Sequence, residues 1–204
     1  MINIIKDVDL INEVDKYDGI LLGTHTYCSL RNGIQGDIAL NYGYVREANL
    51  NTRYGDINKM GTILECTKED EPLIILMYIL KGYPKIKKKG EVVDSLSYES
   101  LEKCLALVNI LHKGKHFATS MIGCSRFDGN GDKEKVMEII NRTVTDFDLT
   151  IYDFYQKKRD EKLIERYKEQ QEIKKVDRNL YYKIVAQCMK EGEERFKKNG
   201  FARY

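Results

Sequence analysis

The chain has 204 residues, of which 42% are hydrophobic and 32% are charged, and its net charge is +2. These values fit one globular domain of ordinary size plus an extension, and they exclude a strong overall attraction to nucleic acid or acidic membranes. The five cysteines form no CxxC pair and no signal peptide is visible, so we expect a reducing, cytoplasmic setting. The longest apolar run, residues 73–80, is too short to cross a bilayer, so we expect no membrane partner.

Apolar patterning along the chain predicts six strands and three helices. The strands are predicted at residues 2–5, 20–23, 62–66, 73–80, 117–122 and 149–154. The helices are predicted from about 37 to 44, at 98–112 behind an N-cap at Ser97, and after an N-cap at Asp132. One face of the middle helix is apolar at Leu101, Cys104, Leu105, Val108 and Leu111. The order β-β-α-β-β-α-β-α-β predicts an α/β fold, a mixed sheet covered by helices on both faces in three layers, α/β/α.

Three segments carry weaker patterns. Residues 45–60 are polar and resist assignment, and residues 81–91 read as a loop with a lysine cluster at Lys85, Lys87, Lys88 and Lys89. Residues 157–204 carry a net charge of +6, which leaves −4 for residues 1–156. We therefore expect a globular domain at 1–156 and a charged helical extension at 157–204, two helices that pack on the domain or join two copies as a homo-oligomer.

Two glycine-rich loops are the features that carry chemistry. The first holds Gly33 and Gly36 between a predicted strand and a helix, and the second lies within residues 121–132 in the same setting. Glycine lets the backbone approach a ligand closely, and the first N–H groups of a helix lack partners, so such loops suit anions. The pair predicts a site that holds a diphosphate from two sides, in the crevice at the carboxyl ends of the strands.

These residues resemble the macrodomain family of ADP-ribose-binding modules. The family segment V-D-A-I-V-N-A-A-N, followed by a glycine run and V-D-G-A-I, is similar to residues 17–21 and 32–38 without a gap. The family's phosphate loop resembles residues 122–128, its early G-D-[IL] resembles residues 6–8, and its last strand resembles residues 149–152. The likeness covers roughly residues 3–155. Residues 98–103 and Gly123-Cys124 most resemble one branch of the family, which contains terminal ADP-ribose protein glycohydrolase and the DNA-ADP-ribose glycohydrolase antitoxins.

The resemblance implies ligand-binding residues at the ends of several strands. Asp7 and Val8 would meet adenine, while one of Tyr152 and Phe154 would wall the adenine or distal-ribose pocket. The two loops supply the others: Thr24, Arg31, Asn32, Gly33, Ile34, Gln35 and Gly36 from the first, and Gly123, Cys124, Ser125, Arg126 and Phe127 from the second. A surface turn is the alternative reading for Asp7, and core packing is the alternative for both aromatic residues.

His25 and Asp128 are the candidate catalytic residues. His25 stands where the family has its second loop asparagine, and an imidazole can orient or deprotonate a ribose hydroxyl or a water. Asp128 lies in the second loop, where the resembling branch has an aspartate that helps to open a sugar linkage. The alternatives are a structural histidine and a loop-capping aspartate. We expect no metal and no cofactor, because His112 and His116 flank a turn where we expect them to be exposed.

Two functions follow from the resemblance. The first is hydrolysis at the distal ribose C1″, releasing ADP-ribose from a protein or a nucleic acid, or phosphate from ADP-ribose 1″-phosphate. The second is a binding module without turnover that reads or sequesters ADP-ribose or a related NAD-derived nucleotide. It is favoured by Gln35, where another hydrolase branch has an aspartate, and by the lack of any lysine between Lys16 and Lys59. A structural or nucleic-acid-binding protein that acts through the charged extension is a third reading.

Overall fold

The computed structural model describes residues 1–30, 33–82, 85–86, 92–93, 95–125 and 129–153. The chain divides into two compact units, Met1–Phe154 and Tyr155–Tyr204. The first unit contains the strands β1 (Ile2–Lys6), β2 (Gly19–His25), β3 (Ile63–Cys66), β4 (Leu73–Leu80), β5 (Lys85–Ile86), β6 (Val92–Val93), β7 (His116–Ser120) and β8 (Asp148–Asp153). Its α-helices are α1 (Gly33–Asn41), α2 (Gly43–Leu50), α3 (Tyr98–Leu111) and α4 (Lys133–Thr143), and 3₁₀ helices run over Leu10–Lys16 and Ile57–Lys59. The predicted C-terminal helices lie outside the described residues.

Six strands form one mixed sheet in the order β1-β8-β7-β2-β4-β3. The pairs β1–β8, β8–β7, β7–β2 and β2–β4 are parallel, and β3 is antiparallel to β4. The short strands β5 and β6 pair with each other in a separate two-stranded sheet. Five parallel strands therefore end at the same edge of the sheet, as the predicted mixed α/β architecture requires.

Each face of the sheet is covered by its own apolar cluster. On one side, Leu21 and Ile75 pack with Leu101 and Leu105 of α3 and with Ile140 of α4. The opposite cluster is formed by Ile20, Ile74, Ile38 of α1, Val45 of α2 and Leu10 of the first 3₁₀ helix. Successive residues of β2 and β4 thus point to opposite covered faces, which explains their unbroken apolar sequences. The three layers predicted from the sequence are confirmed.

Both predicted helix caps are confirmed. The Ser97 hydroxyl accepts the N–H of Ser100 at 3.3 Å, and one Asp132 carboxylate oxygen accepts from Glu134 at 2.9 Å and from Lys135 at 3.2 Å. These bonds satisfy first-turn donors that the helix itself leaves without partners.

The helices after the first loop differ from the predicted ones. One helix was expected from about residue 37 to 44, but α1 starts at Gly33 and α2 continues from Gly43 to Leu50. Val45 and Asn49, four residues apart, are buried on one side of α2. Tertiary contacts therefore stabilise this helix, whose polar sequence shows no clear helical pattern. The predicted loop at 81–91 also contains β5.

Three exposure predictions were wrong. Leu111 is 57% exposed instead of sharing the apolar face of α3, because the helix ends there. His112 is half-buried, with Nε2 at 3.1 Å from a Glu65 carboxylate oxygen, and His116 places Nε2 at 2.9 Å from the Thr150 hydroxyl. Both rings pack on neighbouring strands, which the linear sequence does not reveal. No helix in the described part of the chain has the length and hydropathy that crossing a membrane requires.

Candidate functional site

The two glycine-rich loops leave the sheet from neighbouring strands. The first loop follows β2 and the second follows β7, and these strands are parallel partners with Gly19 opposite Phe117. The contact continues beyond the paired residues, since a Cβ on Gly23 would lie 3.2 Å from a methyl carbon of Ile122. Both loops therefore emerge side by side at the carboxyl edge, where open α/β sheets hold their ligands.

His25 ends β2 and is only 3% exposed. Its Nδ1 accepts the backbone N–H of Tyr27 at 3.2 Å, so the neutral ring carries its proton on Nε2. Burial, helped by the positive charge of Lys59, lowers the pKa of His25 to about 4. The side chain is therefore a neutral donor near pH 7, an arrangement that suits orienting a group better than removing a proton.

The start of α1 presents backbone donors at the same edge. Gly33 has φ +60° and opens the helix, so the N–H groups of Ile34, Gln35 and Gly36 belong to its first turn. Gln35 and Gly36 are buried in α1. Thr24 is fully buried in β2, and its hydroxyl has no hydrogen-bond partner within the described ranges. Arg31 and Asn32 lie outside the described residues.

The second loop is closed by its own backbone. The N–H of Gly131 donates to the carbonyl of Gly123 at 2.9 Å, and the N–H of Asn130 donates to the carbonyl of Ser125 at 2.8 Å. Gly123 has φ +66°, and a Cβ there would lie 2.7 Å from a methyl carbon of Leu96. Gly123 and Gly131 therefore pack on Leu96, in the segment before α3. Arg126, Phe127 and Asp128 lie outside the described residues.

Cys124, in the same loop, is half-buried and packs against the apolar cluster beside α3. Its thiol donates to the carbonyl of Ile122 at 3.4 Å. These contacts agree with the interpretation of Cys124 as a residue that packs in the apolar core.

The adenine side of the predicted site lies at β1 and β8. Asp7 directly follows β1, is exposed, and has φ +60°, and its N–H donates to the Asp153 carbonyl at 3.4 Å. Val8 beside it is 36% exposed. Tyr152 is 2% exposed and its hydroxyl is bonded to that of Tyr17 at 2.7 Å, so core packing accounts for its contacts. Phe154 lies outside the described residues.

Two further features, which were not predicted from the sequence, lie where β2 and β4 end. Lys81 is the first residue after β4, and Leu80 before it is the register partner of His25. Tyr27 is 37% exposed and its ring lies 5.6 Å from that of His25. The position of Lys81 relative to β2 depends on the pairing of β2 with β4, for which the sequence carries no local signal. Among the described residues, no group of three His, Cys, Asp or Glu side chains could hold a metal ion.

No protein-family model matches this chain, and no curated protein matches it in sequence. Its structure is similar to several solved ones. A protein of unknown function from Bacteroides thetaiotaomicron has a TM-score of 0.56 at 18% identity, over 74% of this chain and 97% of that one. The macrodomain of Mycobacterium tuberculosis DarG has a TM-score of 0.52 at 16% identity, with the same coverage of 74% and 97%.

A third similar structure is DarTG from Thermosipho africanus, solved in complex with ADP-ribose. Its TM-score is 0.56 at 11% identity, and the match covers 74% of this chain and 41% of that one. The unit described above therefore has the macrodomain fold, as the resemblance in the sequence implied.

Proposed function

We propose that this chain binds ADP-ribose or a derivative along the carboxyl edge of its sheet and hydrolyses a bond at the distal ribose C1″. The observation that carries the proposal is the exit of both glycine loops from adjacent parallel strands, β2 and β7, within a macrodomain fold. The ADP-ribose complex of the similar DarTG structure supports the choice of ligand.

The ligand follows the strand order along the edge. Adenine lies near the exposed Asp7 at the end of β1, and the diphosphate lies between the start of α1 and the turn at Gly123. Backbone N–H groups of both loops bind the phosphates, as helix N-termini and turn concavities do. The distal ribose then falls at the ends of β2 and β4, beside His25 and Lys81.

The proposed reaction is attack by water on C1″ with departure of the protein, nucleic acid or phosphate group. Asp128 activates the water, and His25 orients a ribose hydroxyl through its Nε2 proton. Positive charge that develops on the sugar is stabilised by the nearby diphosphate. In the resembling branch a lysine attacks the sugar; here Lys81 is exposed directly after β4, whose last residue, Leu80, is the register partner of His25.

Calorimetry with ADP-ribose tests binding. We expect a dissociation constant in the micromolar range, about −7 to −8 kcal/mol, and a loss of roughly tenfold or more in Asp7→Ala. Asp70→Ala is the matched control, because Asp70 is also an exposed aspartate at φ +60° but precedes β4 at the opposite edge. Absence of ADP-ribose binding by the wild type, or equal effects of both variants, would contradict the proposed site.

Turnover is tested separately with ADP-ribosylated protein, ADP-ribosylated DNA and ADP-ribose 1″-phosphate. We expect product from at least one substrate, with a large loss in Asp128→Asn while ADP-ribose affinity is retained. The alternative, a binding module without turnover, is favoured by the engaged Nδ1 of His25, which leaves that ring nitrogen unable to serve as a base. Tight binding with no product on any of the three substrates would establish the module.

A further inference from the structure

A lysine and a cysteine lie in contact behind the first loop. Lys59 Nζ is 3.2 Å from Cys28 Sγ and 2.9 Å from the Thr52 hydroxyl, and it lies 4.7 Å from the centre of the Tyr78 ring. Within the described ranges Lys59 has no carboxylate partner, so a thiol, a hydroxyl and an aromatic face surround its amine. We call these four residues the Lys59–Cys28 cluster.

The surrounding structure holds the two reactive groups together. Cys28 is 6% exposed and has φ +53°, and its thiol also lies 3.2 Å from the Thr52 hydroxyl. The Thr52 hydroxyl donates to the Asn49 carbonyl at 2.8 Å, and the Tyr78 hydroxyl donates to the Asn49 side chain at the same distance. Groups kept in contact in this way react as though at very high local concentration.

From this geometry we propose that Cys28 and Lys59 form a reversible covalent bridge through one oxygen atom, Cys–S–O–NH–Lys, when the protein meets a peroxide. The separation of 3.2 Å favours this form, because a bridging oxygen leaves sulfur and nitrogen much further apart than a direct S–N bond does. The proposal is independent of the proposed ADP-ribose function.

The chemistry balances with two molecules of hydrogen peroxide. The first oxidises the thiol to sulfenic acid and is reduced to water. The second accepts two electrons as the sulfenic oxygen bonds to the lysine nitrogen. That step breaks the sulfenic O–H bond and two N–H bonds of the ammonium group, and it releases two waters and one proton.

The bridge would connect two separate elements of the fold. Cys28 belongs to the segment between β2 and α1, and Lys59 ends the second 3₁₀ helix, 31 residues further along the chain. A covalent link between them reduces the freedom of the unfolded chain and restrains the loop that follows His25. We therefore expect the oxidised protein to melt at a higher temperature than the reduced protein.

Mass spectrometry of the full chain tests the proposal. After treatment with hydrogen peroxide and digestion without reductant, we expect one linked peptide pair joining Cys28 to Lys59. Its mass should exceed the sum of the two reduced peptides by about 14 Da, the gain of one oxygen and the loss of two hydrogens. Trypsin should no longer cleave after Lys59, and dithiothreitol should restore both peptides and the original melting temperature.

Matched variants and internal cysteines are the controls. Lys59→Arg keeps a cation but removes the primary amine, and Cys28→Ser keeps the size of the side chain; neither should form the pair. Cys66 and Cys104, whose thiols contact backbone carbonyls and, within the described ranges, no lysine, should form no lysine bridge. Wild-type protein that accumulates sulfenic or sulfinic acid at Cys28 with no linked Lys59 would overturn the proposal without recourse to any variant.

Discussion

The protonation state of His25 is set by its position in the fold. The sequence places an imidazole at the end of a strand, where an ordinary pKa would make it a proton carrier. Burial at 3% exposure makes the charged form unfavourable, and the Tyr27 N–H occupies Nδ1. Both effects favour one neutral tautomer, which suits the orienting role proposed for His25.

The lowered pKa of His25 predicts a specific loss of stability in acid. The folded-state pKa is about 4 and the ordinary value is 6.5, so between these values the unfolded chain binds the extra proton. Stability contributed by neutral His25 is complete above pH 6.5 and declines as the pH falls toward 4. At about 1.4 kcal/mol for each pKa unit, the free energy of unfolding should fall by about 3 kcal/mol across this window.

Urea denaturation of the wild type and His25→Gln at several pH values between 7 and 4 measures this effect. The variant should lack the contribution, so the difference between the two pH profiles should approach about 3 kcal/mol. Parallel profiles would show that His25 titrates normally and would remove the argument for a neutral donor.

The second loop shows why glycine recurs in one element. A Cβ at Gly123 or Gly131 would lie 2.7 or 2.4 Å from methyl carbons of Leu96, and a Cβ at Gly129 would meet the Gly123 carbonyl oxygen at 2.1 Å. The carbonyl of Gly129 also accepts the N–H of Ser95 at 2.8 Å. These glycines allow the loop to pack on the segment before α3, a requirement of the fold that is separate from any contact with phosphate.

Gly123→Ala should therefore destabilise the protein more than Gly114→Ala. Both glycines have positive φ, +66° and +77°, so alanine strains the backbone at each site by about 1 kcal/mol or more. Only at Gly123 does the new methyl meet buried Leu96, since nothing lies within 4 Å at Gly114. We expect an additional cost of about 1–3 kcal/mol from overpacking.

Denaturant unfolding of both variants checks the difference. The double variant Gly123→Ala, Leu96→Ala should show a favourable coupling, because the second change removes the atoms that the first one meets. Equal costs at the two glycines would mean that Leu96 moves aside freely.

At the scale of elements, strands were easier to predict than helices. The unbroken apolar runs of β2 and β4 arise from burial on both faces and are visible without any tertiary knowledge. The cap residues Ser97 and Asp132 act locally and were also readable. The helix α2 was missed because Val45 and Asn49 are buried by distant residues while the rest of its sequence is polar.

At the scale of the whole molecule, the strand order decides which residues meet. Neighbours in the sheet such as β2 and β7 are separated by nearly one hundred residues, so the sequence predicted two anion loops without showing their distance. The same order places Leu80, the residue before Lys81, beside His25 and places Asp7 at the other end of the parallel edge. The sequence alone indicated which residues could take part in a site, whereas the strand pairing was needed to show which of them lie together.

This arrangement predicts a polarity for the bound nucleotide. Adenine near β1 and the distal ribose near β2 and β4 would place the two ends of ADP-ribose at separate groups of residues. Asp7→Ala should weaken the binding of AMP and of ADP-ribose by similar factors, because both ligands contain adenosine.

Tyr27→Ala, which changes an exposed ring beside His25, should weaken the binding of ADP-ribose while leaving the affinity for AMP unchanged. Competition calorimetry with AMP and ADP-ribose on the two variants measures both ratios, and a Tyr27→Ala effect on AMP as large as that on ADP-ribose would reverse or abolish the proposed direction of the ligand.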